Sequence, residues 1–432
     1  MKKASDFKVF ISYYKPYKGL FVMNVFAAVM TAALSLALPL LVRHITNNIL
    51  TSGASDVLPA ILRTGAIMLA VIIAQTFTGA FNDWMGHVMG ARIERGLRAE
   101  LFAHYQKLPF SFYDNKNTGE LMSRLTNDLF SISEVYHHVP LMAITFSLQF
   151  IGSIIILLSI NWRLAVLILV VLLAIAVYVV VFYKKLQLSY KTNQERIADV
   201  NTAVQENLSG IRIVKSFANE GSELEKFSIQ NYRFYDSRVN IYKSEAMLLS
   251  LIEYFFTPLV TVIIIVAGGI WIAGGSLEIA NLLVFVMYAA YLLSPVPKLA
   301  ELIPFFQSGF IGFVRFREIM DTVPDIADSE KAIELKITSS HVEFENVSFR
   351  YGEEHEYVLR DINLEIQTGE TVAIVGHSGI GKSTLCSLIP RLYDVSNGAV
   401  KIDGVDVRDV TMSHYASKLV LCSRIRFYLP GR

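Results

Sequence analysis

Long apolar runs alternate with charged stretches over roughly the first three hundred residues. Six of the runs come close to or exceed the roughly 20 mainly apolar residues that a membrane-spanning helix needs. The apolar run from 157 to 181 is too long for one span, and Asn161, Trp162 and Arg163 interrupt it. Buried helices of a soluble protein are the alternative, but six such runs would leave almost no polar surface. The predicted spans are Gly19–Ile45, Val57–Met85, His137–Ile160, Trp162–Tyr183, Leu248–Ala273 and Ile279–Leu299.

Lysine and arginine are distributed unevenly between the segments that join these spans. They are frequent at the amino terminus and after the second and fourth spans, whereas 46–56 and 274–279 contain none. Because cytoplasmic loops carry the excess of Lys and Arg, the amino terminus, both long loops and the C-terminal region are predicted to be cytoplasmic. The long loops have apolar residues at helical spacing, such as Ile93, Leu97 and Leu101, so the helices are expected to continue beyond the membrane.

Composition supports a membrane protein with more than one domain. The 432 residues are 53% hydrophobic and only 18% charged, which is too apolar for an ordinary soluble protein of this length. The formal net charge of +1 predicts no nucleic-acid partner. Two cysteines, Cys386 and Cys422, provide no disulfide framework and no Cys/His zinc pattern.

The pattern changes after about Arg317. Residues 323–340 are mostly polar and charged, and they are interpreted as a linker. A soluble α/β pattern follows, in which alternating or apolar stretches are bounded by turn residues. The predicted strands are Val342–Val347, Val358–Ile366, Thr371–Val375 and Ala399–Ile402.

A glycine-rich loop connects one of these strands to a predicted helix, Leu385–Leu392. The loop has the spacing G-x-x-x-x-G-K-[ST], which in this strand–loop–helix context predicts a phosphate-binding loop. Glycines let backbone N–H groups converge on phosphate oxygens, and the start of the helix adds partial positive charge. A chance match in a glycine-rich loop is the alternative. The loop residues are Gly376, His377, Ser378, Gly379, Ile380, Gly381, Lys382, Ser383 and Thr384.

Three side chains of this loop have predicted roles. Lys382 is expected to reach the β and γ phosphates of ATP, and Thr384 the α phosphate. The hydroxyl of Ser383 is expected to bind Mg²⁺. ATP and Mg²⁺ are therefore the predicted cofactors.

Two cytoplasmic segments resemble the intracellular loops of ABC exporters. The first is Pro109–Asp114 with Thr118–Leu121 and Ser123–Asp128, and the second is Gln205–Arg212 followed by Val214–Phe217. The resemblance implies short coupling helices that rest on the nucleotide-binding domains; an ordinary amphipathic loop is the alternative. The implied coupling residues are Phe112, Asp114, Thr118, Gly119, Glu120, Leu208, Gly210, Ile211 and Arg212.

Local chemistry agrees with the first of these segments. Thr118 is expected to cap a helix that begins at Gly119, which would place Glu120 in the first turn, where the helix dipole favours a negative charge.

Further along the chain, Phe349-Arg350-Tyr351 resembles the aromatic segment of ABC ATPases, which implies that Tyr351 stacks on adenine. The alternative for Tyr351 is packing on the end of its own sheet. Ile380 departs from the family, in which a small residue is commoner.

The resemblance to an ABC exporter half-transporter covers the chain to about Ser413. It implies a transmembrane domain of six helices with long cytoplasmic extensions over 1–322, a linker over 323–340 and part of an α/β P-loop NTPase domain over 341–413. It also implies dimerisation with a second half-transporter, identical or different, in the cytoplasmic membrane. Drugs, lipids or other amphiphilic molecules would be the exported substrates, driven by ATP hydrolysis.

The last nineteen residues, 414–432, depart from the family pattern and are interpreted as an aberrant tail. No glutamine loop, signature sequence, aspartate strand, catalytic glutamate or switch histidine is found, so no catalytic residue is assigned. Codons can be chosen for this tail such that the neighbouring reading frame resembles the glutamine-loop segment. We therefore hypothesise a frameshift near Ser413, natural or introduced in sequencing. The alternative function is a non-catalytic remnant that binds ATP weakly or only dimerises.

Overall fold

The computed structural model describes residues 2–51, 57–114, 116–324, 326, 328–329, 332–335, 337–352 and 354–416. The helices are α1 Lys2–Ser12, α2 Lys18–His44, α3 Val57–Tyr105, α4 Phe110–Asp114, α5 Thr118–Ser123, α6 Leu129–Ile160, α7 Trp162–Ser209, α8 Ile211–Ser216, α9 Glu220–Ser250, α10 Thr257–Ala273, α11 Ile279–Leu293, α12 Pro295–Met320, α13 Lys382–Leu388 and α14 Met412–Ala416. The strands are β1 Val342–Phe349, β2 Leu359–Ile366, β3 Asn397–Ile402 and β4 Val405–Asp406.

The chain forms two compact units. The first unit contains Met1–Ile93 and Ser131–Phe310, and the second unit contains Glu94–Phe130 and Ile311–Arg432. These bounds differ from the predicted domain boundary at residue 322, because the first coupling segment belongs to the second unit.

The described part of the chain has five helical segments that are long and apolar enough to cross a membrane. They far exceed the bilayer: the 49 residues of α3 correspond to roughly 70 Å of helix, against about 30 Å of hydrocarbon. The prediction of long helical extensions is therefore confirmed. The five segments are Asp6–Ile49, Val57–Tyr105, Thr118–Ile160, Trp162–Ser209 and Glu220–Ala273.

The sixth predicted span, Ile279–Leu299, is interrupted in the structure. Helix α11 ends at Leu293, and its 15 residues correspond to about 22 Å, less than the thickness of a bilayer core. A new helix, α12, begins at Pro295. Proline has no N–H to donate and favours the first turn of a helix, so Pro295 marks a helix start that the apolar pattern alone did not show.

The first unit is built around the contact of α7 with α9, which run antiparallel. Polar side chains join them along their length: Ser237 Oγ donates to Asn193 Oδ1 at 3.1 Å, and Tyr178 Oη donates to the Met247 carbonyl at 2.9 Å. The apolar core lies where α7, α10 and α11 meet, and many outward side chains of the helices are large and apolar, as suits contact with lipid. Core residues include Leu164, Ile168, Ile264, Val284, Phe285 and Tyr288.

The second unit contains an antiparallel sheet in the order β2-β1-β3-β4. Its core includes Phe344 and Val400 from the sheet, Leu385 from α13 and Tyr415 from α14. Part of the predicted linker belongs to this core, because the side chain of Leu335 is buried in it. Tyr415, from the segment interpreted as an aberrant tail, is fully buried; residues beyond 416 lie outside the described residues.

The predicted strand before the phosphate-binding loop, Thr371–Val375, is wrong for the structure as described. These residues make no strand ladder, and Val375 is 87% exposed. A β-strand requires a hydrogen-bonded neighbour, and within the described ranges no strand lies beside this segment. The helix predicted at Leu385–Leu392 is present but begins and ends earlier, at Lys382 and Leu388.

Asp403 joins the turn between β3 and β4 to the segment that leads into β1. Its carboxylate accepts hydrogen bonds from the backbone N–H groups of Thr338 at 2.7 Å and His341 at 2.8 Å, and from Ser339 Oγ at 2.7 Å. Asp403 and Gly404 both have positive φ, which Asp and Gly tolerate in a tight hairpin turn. The Ser339 hydroxyl and the backbone donors hold the pKa of Asp403 well below its usual range.

We expect Asp403→Ala to destabilise this part of the second unit by about 2 kcal/mol, because several donors lose a charged acceptor. The folded-state pKa is depressed, so the carboxylate stabilises fully above its unfolded pKa of about 4, and the stabilisation disappears as the pH falls through the folded value. Hydrogen exchange at the amides of Thr338 and His341 measures the effect, with Asp403→Asn separating charge from turn preference. Unchanged exchange in Asp403→Ala would contradict this role.

Candidate functional site

The conformation of the glycine-rich loop requires glycine at two positions. Gly379 has φ +84° and Gly381 has φ +98°, a region in which other residues are strained. A Cβ at Gly381 would also lie 2.8 Å from Leu359 Cδ2, closer than atoms can pack. The spacing of the motif therefore reflects a backbone conformation that the structure contains.

Lys382 folds back over this loop. Its Nζ donates to the carbonyl oxygens of Gly376 at 2.9 Å and His377 at 2.6 Å, while Ser383 beside it is exposed to solvent. Helix α13 has only seven residues, so its dipole contributes little, and the Lys382 ammonium is the main positive charge of the loop. A solvent-open, glycine-dependent loop with this cation fits a triphosphate with Mg²⁺; the assigned roles of the loop residues stay predictions.

Tyr351 lies beside the first turn of α13. Its hydroxyl and Thr384 Oγ1 form a hydrogen bond at 2.8 Å, although the two residues are 33 positions apart. The ring of Tyr351 is 48% exposed and meets the Phe349 ring edge-on at 4.9 Å. The structure thus brings Tyr351 to the phosphate-binding loop, with part of the ring open to solvent. Stacking on adenine stays a prediction, and Thr384 contacts Tyr351 rather than facing freely into the loop.

Tyr393 connects this aromatic cluster to the first coupling segment. Its ring meets the ring of Tyr351 edge-on at 5.3 Å, and its hydroxyl donates to Asp114 Oδ2 at 2.6 Å. Burial, together with the adjacent carboxylate of Asp114, raises the pKa of Tyr393 well above its usual range, so the phenol remains a neutral donor. A continuous series of contacts therefore runs from Asp114 through Tyr393 and Tyr351 to Thr384.

An ion pair between a buried arginine and a partly exposed aspartate flanks Tyr393 in the chain. Arg391, whose side chain is almost fully buried, has φ +55° and pairs with both carboxylate oxygens of Asp394, at 2.8 and 3.2 Å. Such bidentate pairs fix geometry as well as supplying energy. Sequence patterns did not single out Tyr393, because an aromatic residue after an apolar helix has no distinctive spacing. The only signal was its position between Arg391 and Asp394.

The first coupling segment forms two short helices, α4 and α5, as the resemblance implied. Helix α5 begins at Thr118, and its N-cap is Asn117, which makes no side-chain capping bond; the prediction of Thr118 as the cap was wrong by one residue. Glu120 lies in the first turn, as expected, but its carboxylate bonds Arg124 at 2.6 Å. Phe112 packs edge-on against the ring of Tyr113.

The second coupling segment lies at the end of α7, in the first unit. Gly210 separates α7 from the short helix α8, which begins at Ile211. The segment presents apolar side chains to solvent: Leu208 and Ile213 are exposed, and Phe217 is 80% exposed. Arg212 is exposed among them. The first coupling segment therefore belongs to the second unit, together with the phosphate-binding loop. The second coupling segment belongs to the first unit.

Two protein-family models match the chain. The ABC transporter transmembrane region matches residues 21–296, and the ABC transporter description matches residues 359–430. The second match includes the phosphate-binding loop and extends through most of the segment 414–432. The interpretation of that segment as an aberrant tail stays a prediction.

Bacterial relatives align with nearly the whole chain. The ABC transporter ATP-binding protein YwjA of Bacillus subtilis is 37% identical over 98% of this chain and 72% of its own length. The putative multidrug export ATP-binding/permease protein YgaD of Bacillus subtilis is 31% identical, over 93% of this chain and 70% of its own length. The ATP-dependent lipid A-core flippase of Syntrophus aciditrophicus is 31% identical, over 95% and 67% respectively. With the apolar helices and the phosphate-binding loop in one polypeptide, these matches show that the chain belongs to the ABC transporter family.

Proposed function

We propose that this chain is one half of an ATP-driven exporter of amphiphilic molecules such as drugs or lipids. The hydrogen bond between Tyr393 and Asp114 carries the proposal, because it connects the nucleotide loop to a segment between two membrane-spanning helices. The names of two relatives, a multidrug export protein and a lipid A-core flippase, support the substrate class. The apolar helices support a multi-pass membrane protein, and in this proposal it lies in the cytoplasmic membrane.

In this function, the chain's own residues hold the nucleotide. Lys382 would exchange its two carbonyl acceptors for phosphate oxygens, and Ser383 would offer its hydroxyl to Mg²⁺. The exposed part of the Tyr351 ring would stack on adenine. When bound, ATP with Mg²⁺ supplies a phosphoryl group whose transfer to water releases the free energy for export.

Contacts on both coupling segments would transmit nucleotide binding to the membrane helices. A shift of Tyr351 on binding adenine would move the Tyr393 ring, and with it the hydrogen bond to Asp114. The exposed apolar side chains of Leu208, Ile213 and Phe217 suit contact with the ATP-binding region of a second half-transporter, identical or different. Dimerisation would therefore complete a surface that the single chain leaves open to solvent.

A second candidate function is a non-catalytic membrane protein that binds ATP weakly or only dimerises. One observation favours it: the segment Thr371–Val375, which leads into the phosphate-binding loop, has no neighbouring strand within the described residues. If the segment before the loop is not held in a sheet, the loop would hold phosphates less rigidly. Phosphoryl transfer depends on such positioning. The two candidate functions differ in ATP turnover, which is measured below as phosphate release by the unchanged chain and by Lys382→Ala.

The distribution of basic residues predicts the side of the membrane on which each loop lies. In a variant with Cys386 and Cys422 changed to Ser, a cysteine at Ser276 should react with an impermeant thiol reagent added to intact cells. A cysteine at Asn117 or Ser222 should react only after the cells are permeabilised, because the surrounding basic residues predict that both segments are cytoplasmic. Labelling of Asn117 or Ser222 sites in intact cells would reverse the proposed orientation.

Lys382→Ala should weaken binding of ATP with Mg²⁺ roughly 10–100-fold, because a charge-assisted contact with phosphate is worth about 1.5–3 kcal/mol. Binding of a fluorescent ATP analogue and phosphate release are measured on the full chain in detergent. Lys401→Ala, which removes a lysine from β3 that pairs with Glu345, is the matched control.

An exporter should show Mg²⁺-dependent phosphate release that Lys382→Ala abolishes. Release at background together with Lys382-dependent binding would favour the non-catalytic candidate. Equal ATP binding by Lys382→Ala and the unchanged chain would contradict the assignment of the loop.

Tyr393→Phe removes one hydroxyl and keeps the ring. We expect ATP binding to stay the same, while stimulation of ATP turnover by an amphiphilic substrate falls about tenfold, because a hydrogen bond to a carboxylate is lost. Tyr357→Phe, which removes a hydroxyl near Asn397, is the matched control. The ratio of stimulated to basal turnover in liposomes is the measurement, and an unaltered ratio in Tyr393→Phe would exclude this path.

A further inference from the structure

Three histidines meet where α3 and α6 cross in the first unit. His87 lies on α3, whereas His137 and His138 are adjacent on α6, and one ring nitrogen of each lies within 4.8 Å of the others. Glu134, one turn earlier on α6, has a carboxylate oxygen 3.3 Å from His138 Nε2 and 3.9 Å from His137 Nε2. Nothing in the nucleotide site or the coupling segments uses these residues.

Backbone contacts select the tautomer of two of the rings. His137 Nδ1 lies 2.9 Å from the carbonyl oxygen of Ser133, and His87 Nδ1 lies 2.7 Å from that of Asp83. A carbonyl oxygen can only accept, so each Nδ1 carries the proton and each Nε2 keeps its lone pair. Metal-binding histidines characteristically have this arrangement, with one nitrogen donating to an oxygen and the other free to coordinate.

The Nε2 atom of His137 is a polar atom that its surroundings do not satisfy. His137 is only 3% exposed, and its Nε2 is buried without a hydrogen-bond partner. Leaving a buried acceptor unpaired costs free energy, so a retained one calls for a ligand. The His87 ring, whose centroid is 4.3 Å from that of His137, is exposed and can provide access.

Two glycines on α3 permit this crossing. A Cβ at Gly90 would lie 2.8 Å from His137 Nδ1 and 2.9 Å from Ser133 Oγ, and a Cβ at Gly86 would lie 3.2 Å from Leu141. The two glycines are four residues apart and therefore share one face of the helix. Small residues on this face let the helices approach closely enough for residues of both to share one ligand.

We infer that His87, His137 and His138, with Glu134, form a binding site for a divalent transition-metal ion of the zinc class. Imidazole nitrogens suit Zn²⁺, Cu²⁺ and Ni²⁺, whereas Mg²⁺ and Ca²⁺ prefer oxygen ligands. Three nitrogens and one carboxylate oxygen make a donor set suited to tetrahedral Zn²⁺, with donors about 3.4 Å apart. Modest rotation of the exposed His87 and the half-buried His138 rings would bring the donors to that spacing.

The ion would bind residues of two different helices and would therefore link them. Helices α3 and α6 are the two arms that flank the first coupling segment in the chain, and the ion would tie these two helices together. Zinc binding would therefore stiffen these arms. The inference does not rest on the proposed export function, because binding of the ion depends only on residues of the first unit.

The test uses the full chain, purified in detergent without a histidine-containing tag and stripped with a chelator. Equilibrium dialysis with Zn²⁺ alone should find one ion per chain with a dissociation constant of about 1 µM or tighter. Co²⁺ in its place should produce the visible absorption of a tetrahedral site. His87→Ala and His138→Ala should each weaken binding at least about 10-fold, while His44→Ala, an exposed histidine of α2, should leave it unchanged.

A pair of glycine variants tests the geometry without removing a ligand. Gly90→Ala should weaken Zn²⁺ binding because it displaces His137, whereas Gly79→Ala on the same helix meets nothing within 4 Å and should not. Circular dichroism shows whether each variant keeps its helices. No binding at about 100 µM Zn²⁺, or equal affinity in the His87→Ala/His138→Ala double variant, would overturn the inference.

Discussion

Inside a lipid bilayer, every backbone N–H and C=O group must find its partner within its own segment, because no water is available to replace it. This constraint explains why the membrane-spanning part of the chain is helical throughout. It also explains why the helices can project beyond the bilayer: a helix whose hydrogen bonds are local can continue into water without changing its backbone. The 48 residues of α7 and the 49 of α3 are uninterrupted helices, although only about 20 residues of each need contact lipid. The coupling segments at their ends are therefore carried on rigid arms.

The nucleotide loop is connected to one of these arms by side-chain contacts rather than by backbone. The phenol of Tyr393 donates to Asp114 on α4, while its ring packs against Tyr351, which in turn bonds Thr384 at the start of α13. The two hydrogen bonds are short and directional, and the pair of the buried Arg391 with the partly exposed Asp394 flanks Tyr393 in the chain. In the proposed function, a change of structure at the loop would reach the coupling segment through three side chains, those of Thr384, Tyr351 and Tyr393. Because this path consists of aromatic rings and two side-chain hydrogen bonds, it can be interrupted without unfolding the sheet.

In the first unit, polar groups meet where α3 crosses α6. The backbone carbonyls of Asp83 and Ser133 orient His87 and His137, and Gly90 leaves the space that the crossing needs. Burial of an unpaired imidazole nitrogen is costly in a protein interior. The histidine cluster is therefore a specific feature of this crossing rather than incidental packing.

Patterns along the sequence determined the membrane segments, their helical extensions and the glycine-rich loop. These features depend on local chemistry: apolar length, helical periodicity and glycines whose positive φ the loop requires. Only the tertiary structure decided features that depend on distant partners. Thr371–Val375 has the apolar pattern of a strand but is not one, because a strand exists only beside another. Tyr393 meets Asp114 from a distant position in the chain, and His87 likewise meets the adjacent pair His137 and His138. No local pattern encodes which side chains a fold will bring so close together.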